Sequence, residues 1–330
     1  MYRFDFAKRL GHKARLALAS VVLPRQARPV IAIVLFLGLV LFIRTDNVVA
    51  YRSTPPLKRN PRSQATVVRL HLASAPFPHP NRVNGFLYQD VFYPYDSDYS
   101  DPSVIVYVPP EFTSRRSVNL VFFFHGWLTN IDDIQEQFQL YRQFAQSGVN
   151  ALLVLPEVAR NAPDSFGGKL EDPGGFSQLV KDLVTSLNKR GIIGTTRLGT
   201  IALAGHSGAY EVVARILQVG GLSNRIREVY LFDALYDLAD RFADWIALGG
   251  KRFVSVSMDQ GSTEDVTDYL VGELRIDGIP LTEAWDDPSQ DDVSLGPRVT
   301  FLRSPHDHYG VVSAEDEFRR VLAASPFLRR

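Results

Sequence analysis

The chain has 330 residues, of which 45% are hydrophobic and 22% charged, a composition typical of a globular protein with a sizeable core. Lysine plus arginine (36) balance aspartate plus glutamate (36), so overall charge gives no reason to expect a nucleic-acid partner. The absence of cysteine excludes disulfides, thiolate metal ligands and a cysteine nucleophile.

An unbroken apolar run at 29–43 follows a basic leader, residues 1–28. The run is nearer the length of a signal h-region than the roughly 20 residues of a comfortable membrane span. Arg44 and Asp46 directly behind it favour an uncleaved anchor, whereas Val48 and Ala50 have the spacing of a signal-peptide cleavage site. Either reading predicts that the rest of the chain lies outside the cytoplasm, periplasmic or extracellular, tethered to the membrane or secreted.

A linker, 44–65, contains a stretch rich in proline, arginine and serine and connects this segment to a predicted folded domain, 66–330. Strand-like and helix-like stretches alternate through the domain, which predicts an α/β fold with a mostly parallel central sheet and helices on both faces. The predicted strands are continuous apolar runs at 103–108, 119–124, 151–155, 200–204, 228–232, 252–258 and 298–302.

Apolar residues at helical spacing predict helices around 134–145, 179–187 and 212–217, and another from Ser313 onward. Two stretches do not fit the alternation. Turn formers at 161–175 indicate a loop over the site, and acidic turns within 268–295 indicate a small insertion near the mouth of the site.

The segment 200–210, TIALAGHSGAY, joins a buried strand to a helix through a tight turn at Ser207. A nucleophile elbow needs small residues two positions before and after the serine, because the strained turn presses against its neighbours. Gly205 and Ala209 satisfy this requirement, although alanine stands where glycine is usual. The pattern therefore predicts Ser207 as a nucleophile.

A serine nucleophile needs a histidine base and an acid that orients it. Only His306 and His308 follow the last predicted strand, where an elbow-type hydrolase places its base, and His308 is favoured because it lies just ahead of the final helix. A metal site built on these two histidines lacks a distant ligand, so no metal is expected.

Two carboxylates compete for the role of the acid. Asp233 ends the strand after the elbow's helix, and Asp259 ends the next strand. Asp233 is favoured because it follows a buried strand directly and leads into a short apolar turn, whereas Asp259 enters a polar loop. Asp259 remains a rival, as His306 does for the base.

An acyl-transfer site also needs hydrogen-bond donors for the oxyanion. The backbone N–H of Gly208, directly after the nucleophile, is one expected donor, and Trp127 in the loop after strand 119–124 is the other. His125 and Gly126 then support this loop, and His125 is expected to be architectural.

The region from Ser103 to the C-terminus resembles the α/β-hydrolase superfamily. GHSGAY (205–210) and LFDALY (231–236) are similar to segments of a group of bacterial α/β hydrolases, and VIVYVPPEF followed by VFFFHG is similar to the esterase and polyester-depolymerase branch. The resemblance implies an acyl-enzyme mechanism without metal or organic cofactor, and it identifies no substrate.

These observations predict a serine hydrolase acting on a carboxylic ester, either a small molecule or a component of the cell envelope. One alternative is an amidase or peptidase acting on envelope material. Another is a non-catalytic anchored domain of the same fold that binds an envelope component.

Overall fold

A nine-stranded sheet runs through the centre of the protein in the computed structural model, which describes residues 64–114 and 116–329. Its strands are β1 (Thr66–His71), β4 (Ser103–Val108), β5 (Val118–Phe124), β6 (Leu152–Pro156), β7 (Leu198–His206), β8 (Ile226–Phe232), β9 (Arg252–Met258), β10 (Thr282–Trp285) and β11 (Val299–Ser304). The spatial order is β1-β4-β6-β5-β7-β8-β9-β11-β10. Only β4 pairs antiparallel with both of its neighbours, so all strands from β6 to β10 in this order point the same way.

Helices cover both faces of the sheet because successive side chains of a strand point to opposite sides. Phe122 and Phe124 face one apolar layer and Phe123 faces the other, and all three are fully buried. The first layer packs against α4 (Gly175–Lys189), α5 (Tyr210–Val219), α6 (Ala239–Ala247) and α7 (Glu264–Ile276). The second packs against α2 (Ile131–Gln137), α3 (Leu140–Gln146), α9 (Gly310–Ser313) and α10 (Glu317–Ala323).

The observed elements differ from the predicted ones in several places. The helix predicted around 134–145 is two helices, α2 and α3, because Gln139 adopts a left-handed conformation (φ 50°) between them. This turn lets both Phe138 and Leu140 point into the core. The C-terminal helix also divides, into α9 and α10.

The stretch 268–295 is not an insertion near the site mouth. It holds the second half of α7, the edge strand β10 and the short helix α8 (Asp291–Ser294). A hairpin of β2 (Phe86–Tyr88) and β3 (Val91–Tyr93), followed by α1 (Tyr95–Asp98), connects β1 to β4 and was not predicted.

The predicted leader 1–28, apolar segment 29–43 and nearly all of the linker 44–65 lie outside the described residues. Within 64–114 and 116–329, no helix is long and apolar enough to cross a membrane.

Candidate active site

One edge of the sheet collects the chemically active side chains, because parallel strands end at the same edge. His125 follows β5, Glu157 follows β6 and Ser207 follows β7. Continuing across the sheet, Asp233 follows β8, Asp259 follows β9, and His306 and His308 lie in the loop after β11.

Ser207 lies in a strained turn between β7 and α5, at the start of a short 3-10 helix (Ser207–Ala209). Its φ of 58° is left-handed, which costs a non-glycine residue energy and is typical of functional sites. A β-carbon on Gly205 would lie 3.1 Å from that of Ala209, so glycine at 205 makes room for alanine at 209. The departure from the usual glycine is therefore accommodated by close packing within the turn.

His308 and Asp233 form a close pair. The Nδ1 atom of His308 lies 2.6 Å from Oδ2 of Asp233, while Oδ1 accepts a hydrogen bond from Thr263 Oγ1 at 2.7 Å. Burial alone would raise the pKa of Asp233, but the hydrogen bonds from His308 and Thr263 outweigh it and hold that pKa below its usual value. The carboxylate is thus ionised at neutral pH and orients the imidazole. Asp233 also has a left-handed φ, 41°.

The two rival residues face other partners. Oδ1 of Asp259 lies 3.8 Å from Nη1 of Arg303, and Arg303 also pairs with Glu264. His306 Nε2 lies 3.9 Å from Oε1 of Glu317 on α10. The structure therefore brings Asp233 and His308 together at the elbow and directs Asp259 and His306 elsewhere.

His206 connects the elbow to the loop that carries His308. Its Nε2 lies 2.7 Å from the backbone carbonyl oxygen of His308, and the two imidazole rings have centroids 4.5 Å apart. Because His206 directly precedes Ser207, this contact joins the loop that carries His308 to the residue next to the serine. No hydrogen bond joins Ser207 Oγ to His308 within the described part of the chain, and such bonds in substrate-free sites often tighten only on binding.

Trp127 and Gly208 lie against each other beside Ser207. A β-carbon on Gly208 would be 2.5 Å from Cδ1 of the Trp127 indole, so only glycine permits this approach. The backbone N–H of Trp127 has no acceptor among the residues described, and Gly208 lies in the first turn of a helix, where N–H groups lack intrahelical partners. Both N–H groups are available to a ligand. The indole itself donates to Ser165 Oγ at 2.8 Å, which places the 161–175 loop at the site.

Glu157 is a residue of this edge that sequence reasoning did not single out. It is fully buried and pairs with His125, whose Nε2 lies 2.8 Å from Oε1. The available signal was a carboxylate directly after a buried apolar strand, the same signal that drew attention to Asp233.

Two half-buried tyrosines lie close in sequence to Ser207 and Asp233. Tyr210 begins α5 and Tyr236 follows Asp233 by three residues, with ring centroids 6.1 Å apart. Burial raises the pKa of each to about 12, so both hydroxyls stay protonated at physiological pH. The described residues contain no group of three or more potential metal ligands.

No protein-family model and no curated protein matches the sequence. A feruloyl esterase module of Clostridium thermocellum, in complex with sinapinate, aligns over 88% of this chain and 98% of its own with 12% identity and a TM-score of 0.50. A substrate-bound fluorophosphonate-binding serine hydrolase of Staphylococcus aureus aligns over 80% of this chain and 99% of its own, with 10% identity and a TM-score of 0.48.

An S-formylglutathione hydrolase of Agrobacterium tumefaciens covers 80% of this chain and 95% of its own, with 10% identity and a TM-score of 0.45. At these identities the likeness concerns the fold and not the activity. The chain has the α/β-hydrolase fold, as its strand order, the antiparallel β4 and the overlap with the feruloyl esterase module show.

Proposed function

We propose that this protein is a serine hydrolase that cleaves a carboxylic ester through an acyl-enzyme. The observation that carries the proposal is the 2.6 Å contact of His308 with a buried Asp233, in a loop that is hydrogen-bonded to His206, the residue next to a serine in a left-handed turn. A structural serine has no need of a neighbouring histidine that is itself oriented by a carboxylate.

Each residue has a defined role in the proposed reaction. Asp233 holds the proton of His308 on Nδ1, which leaves the Nε2 lone pair free to accept the proton of Ser207. Ser207 Oγ then attacks the ester carbonyl, and the N–H groups of Trp127 and Gly208 bind the resulting oxyanion. Collapse expels the alcohol with the proton from His308, and water repeats the sequence to release the acid.

The feruloyl esterase module with the same fold supports the choice of an ester as substrate. No feature of the described residues favours the amidase, peptidase or non-catalytic alternatives. The substrate class stays a small-molecule or envelope ester.

Labelling with a fluorophosphonate probe tests the proposal, because the probe phosphonylates an activated serine. Wild type should be labelled and should hydrolyse p-nitrophenyl esters, and Ser207→Ala should do neither. Ser165→Ala removes the neighbouring hydroxyl and should keep the label. A folded wild-type protein that takes no label and hydrolyses no ester would support the non-catalytic alternative.

The location outside the cytoplasm is also a proposal, and it depends on the apolar segment 29–43 and its basic leader. Protease protection in spheroplasts tests it, since an exported domain is digested from outside while a cytoplasmic one is protected. Deletion of 29–43 should abolish that digestion.

A further inference from the structure

The carboxylate of Glu157 is buried between both ends of the loop that carries Trp127. At one end Oε1 faces Nε2 of His125 at 2.8 Å, and at the other it accepts the backbone N–H of Ile131 at 3.3 Å. Arg160 donates to Oε2 at 2.9 Å. A carboxylate that is fully removed from water needs such partners, and here two of them, His125 and Ile131, stand at the start and end of a single loop, 125–131.

The protons on the imidazole of His125 follow from its two contacts. Nδ1 lies 2.8 Å from the carbonyl oxygen of Gly126, and a carbonyl only accepts, so Nδ1 carries a hydrogen. Nε2 faces a carboxylate oxygen at 2.8 Å, so a second proton lies between these two atoms. Glu157 therefore holds the ring in the orientation in which Nδ1–H points at Gly126.

The bond to Gly126 determines where the Trp127 N–H points. The carbonyl of Gly126 and the N–H of Trp127 belong to one planar peptide unit, in which the two groups point in opposite directions. A fixed carbonyl on one side therefore fixes the N–H on the other.

We propose that Glu157, acting through His125, is a positioning residue that aims the Trp127 N–H at the oxyanion; this inference rests on the proposed function. The segment after β6 reinforces the arrangement, because Leu128 N–H donates to Ala162 (3.1 Å) and Asn161 N–H donates to Thr129 (2.8 Å). An apolar residue at 157 would fill the space without burying a charge, so the contribution of the carboxylate lies in orientation.

A double-mutant cycle tests the inference. Glu157→Leu removes the anchor, and His125→Phe keeps a ring but removes the donor to Gly126. Each should lower kcat for ester hydrolysis about 10- to 100-fold with KM within about threefold, because an oxyanion donor acts mainly in the transition state. The double variant should be no slower than His125→Phe, because Glu157 acts through His125.

Two further variants complete the comparison. Glu157→Gln should restore kcat to within about threefold of wild type, since its amide can bond the ring and Ile131 at once. Glu228→Leu removes another fully buried carboxylate, paired with Arg252 near the start of β8 and away from the site edge, and should leave kcat unchanged.

Independent effects of Glu157→Leu and His125→Phe, or a wild-type kcat in folded Glu157→Leu, would overturn the inference while leaving the proposed function intact. Equal activity of Ser207→Ala and wild type would instead overturn the proposed function. If the leucine variant does not fold, ¹⁵N-histidine NMR of the wild type decides. A proton on Nδ1 of His125 supports the inference, and a bare Nδ1 contradicts it.

Discussion

The side chain of His206 donates a hydrogen bond to the backbone of His308, with Nε2 2.7 Å from the carbonyl oxygen. Burial, together with the neighbouring His308, lowers the pKa of His206 to about 3, so the ring is neutral at physiological pH. Because a carbonyl only accepts, the single ring proton must lie on Nε2. The residue just before the proposed nucleophile thus fixes the backbone of the proposed base.

His206→Phe should lower kcat about tenfold and reduce the free energy of unfolding by about 1–2 kcal/mol. Phenylalanine keeps the packing against Phe138 but leaves the His308 carbonyl without its donor. Steady-state kinetics and urea unfolding measure the two effects. His206→Gln can still donate this hydrogen bond, so its kcat and free energy of unfolding should lie closer to the wild-type values. A fully active His206→Phe variant would show that the bond does not position His308.

His308→Ala should lower kcat at least about 10³-fold, because no other described imidazole pairs with Asp233. His306→Ala is the matched control, since its side chain faces Glu317 and should be dispensable for the chemical step. Stopped-assay kinetics on an activated ester distinguish them. The reverse ranking would transfer the role of base to His306.

Asp233→Asn should lower kcat about 10⁴-fold, because an amide can turn its N–H toward His308 and stabilise the wrong tautomer. Asp259→Asn should keep a kcat near that of the wild type, because Asp259 faces Arg303. Both variants are close to isosteric, so the comparison isolates charge. Loss of activity in Asp259→Asn alone would identify it as the acid.

Gly126→Ala should lower both kcat and stability, the latter by about 1–3 kcal/mol. Its methyl group would lie 2.5 Å from Cβ and 3.0 Å from Oγ of Ser207, so either the loop or the serine must move. Gly272→Ala on α7 has open space around the new methyl group and should stabilise the fold slightly. Thermal unfolding and ester hydrolysis of both variants test the contrast, and a Gly126→Ala protein with native kcat would contradict it.

Glu317 should make the protein less stable as pH rises from about 4.5 to 8. Burial, and then the charge of Asp286, raise the pKa of Glu317 from 4.5 to about 7. A raised carboxyl pKa gives a contribution that is complete below pH 4.5 and lost as pH rises through 7, amounting to no more than about 3 kcal/mol.

Glu317→Gln should therefore show a smaller fall in unfolding free energy across this range than wild type. Glu315→Gln, which changes an exposed neighbour, should follow the wild-type curve. Denaturant unfolding at several pH values measures the difference, and parallel curves for Glu317→Gln and wild type would exclude Glu317 as the source.

The interior strands could be predicted from sequence because strands buried on both faces are continuous apolar runs. The predicted and observed bounds agree for β4 and β9 and differ by one or two residues at the ends of the other predicted strands. The edge strand β10, Thr282–Trp285, was missed because its exposed, mixed side chains carry no such signal. The division between α2 and α3 was missed because Gln139 is not a residue that usually marks a left-handed turn.

The candidate site could be predicted in part because its residues follow strands that the sequence shows clearly. Ser207, Asp233 and His308 each follow a recognisable strand, and the structure brings them to one edge. Sequence alone left Asp259 and His306 open, because the choice depends on which side chains face each other across strands. Glu157 could not be recognised from sequence, because this type of site places its acid after the nucleophile in the chain and Glu157 precedes Ser207.

The sheet order has a consequence for where this protein tolerates change. Ser207 and Asp233 belong to one continuous β7–α5–β8 unit, so one contiguous stretch of the chain supplies both the proposed nucleophile and the proposed acid. Beyond β8, the loop after β11 contributes His308, whereas β10 only closes the outer edge of the sheet. The turn between α7 and β10 is therefore a suitable point for inserting a reporter domain, since a graft there leaves the proposed triad and its supporting strands uninterrupted.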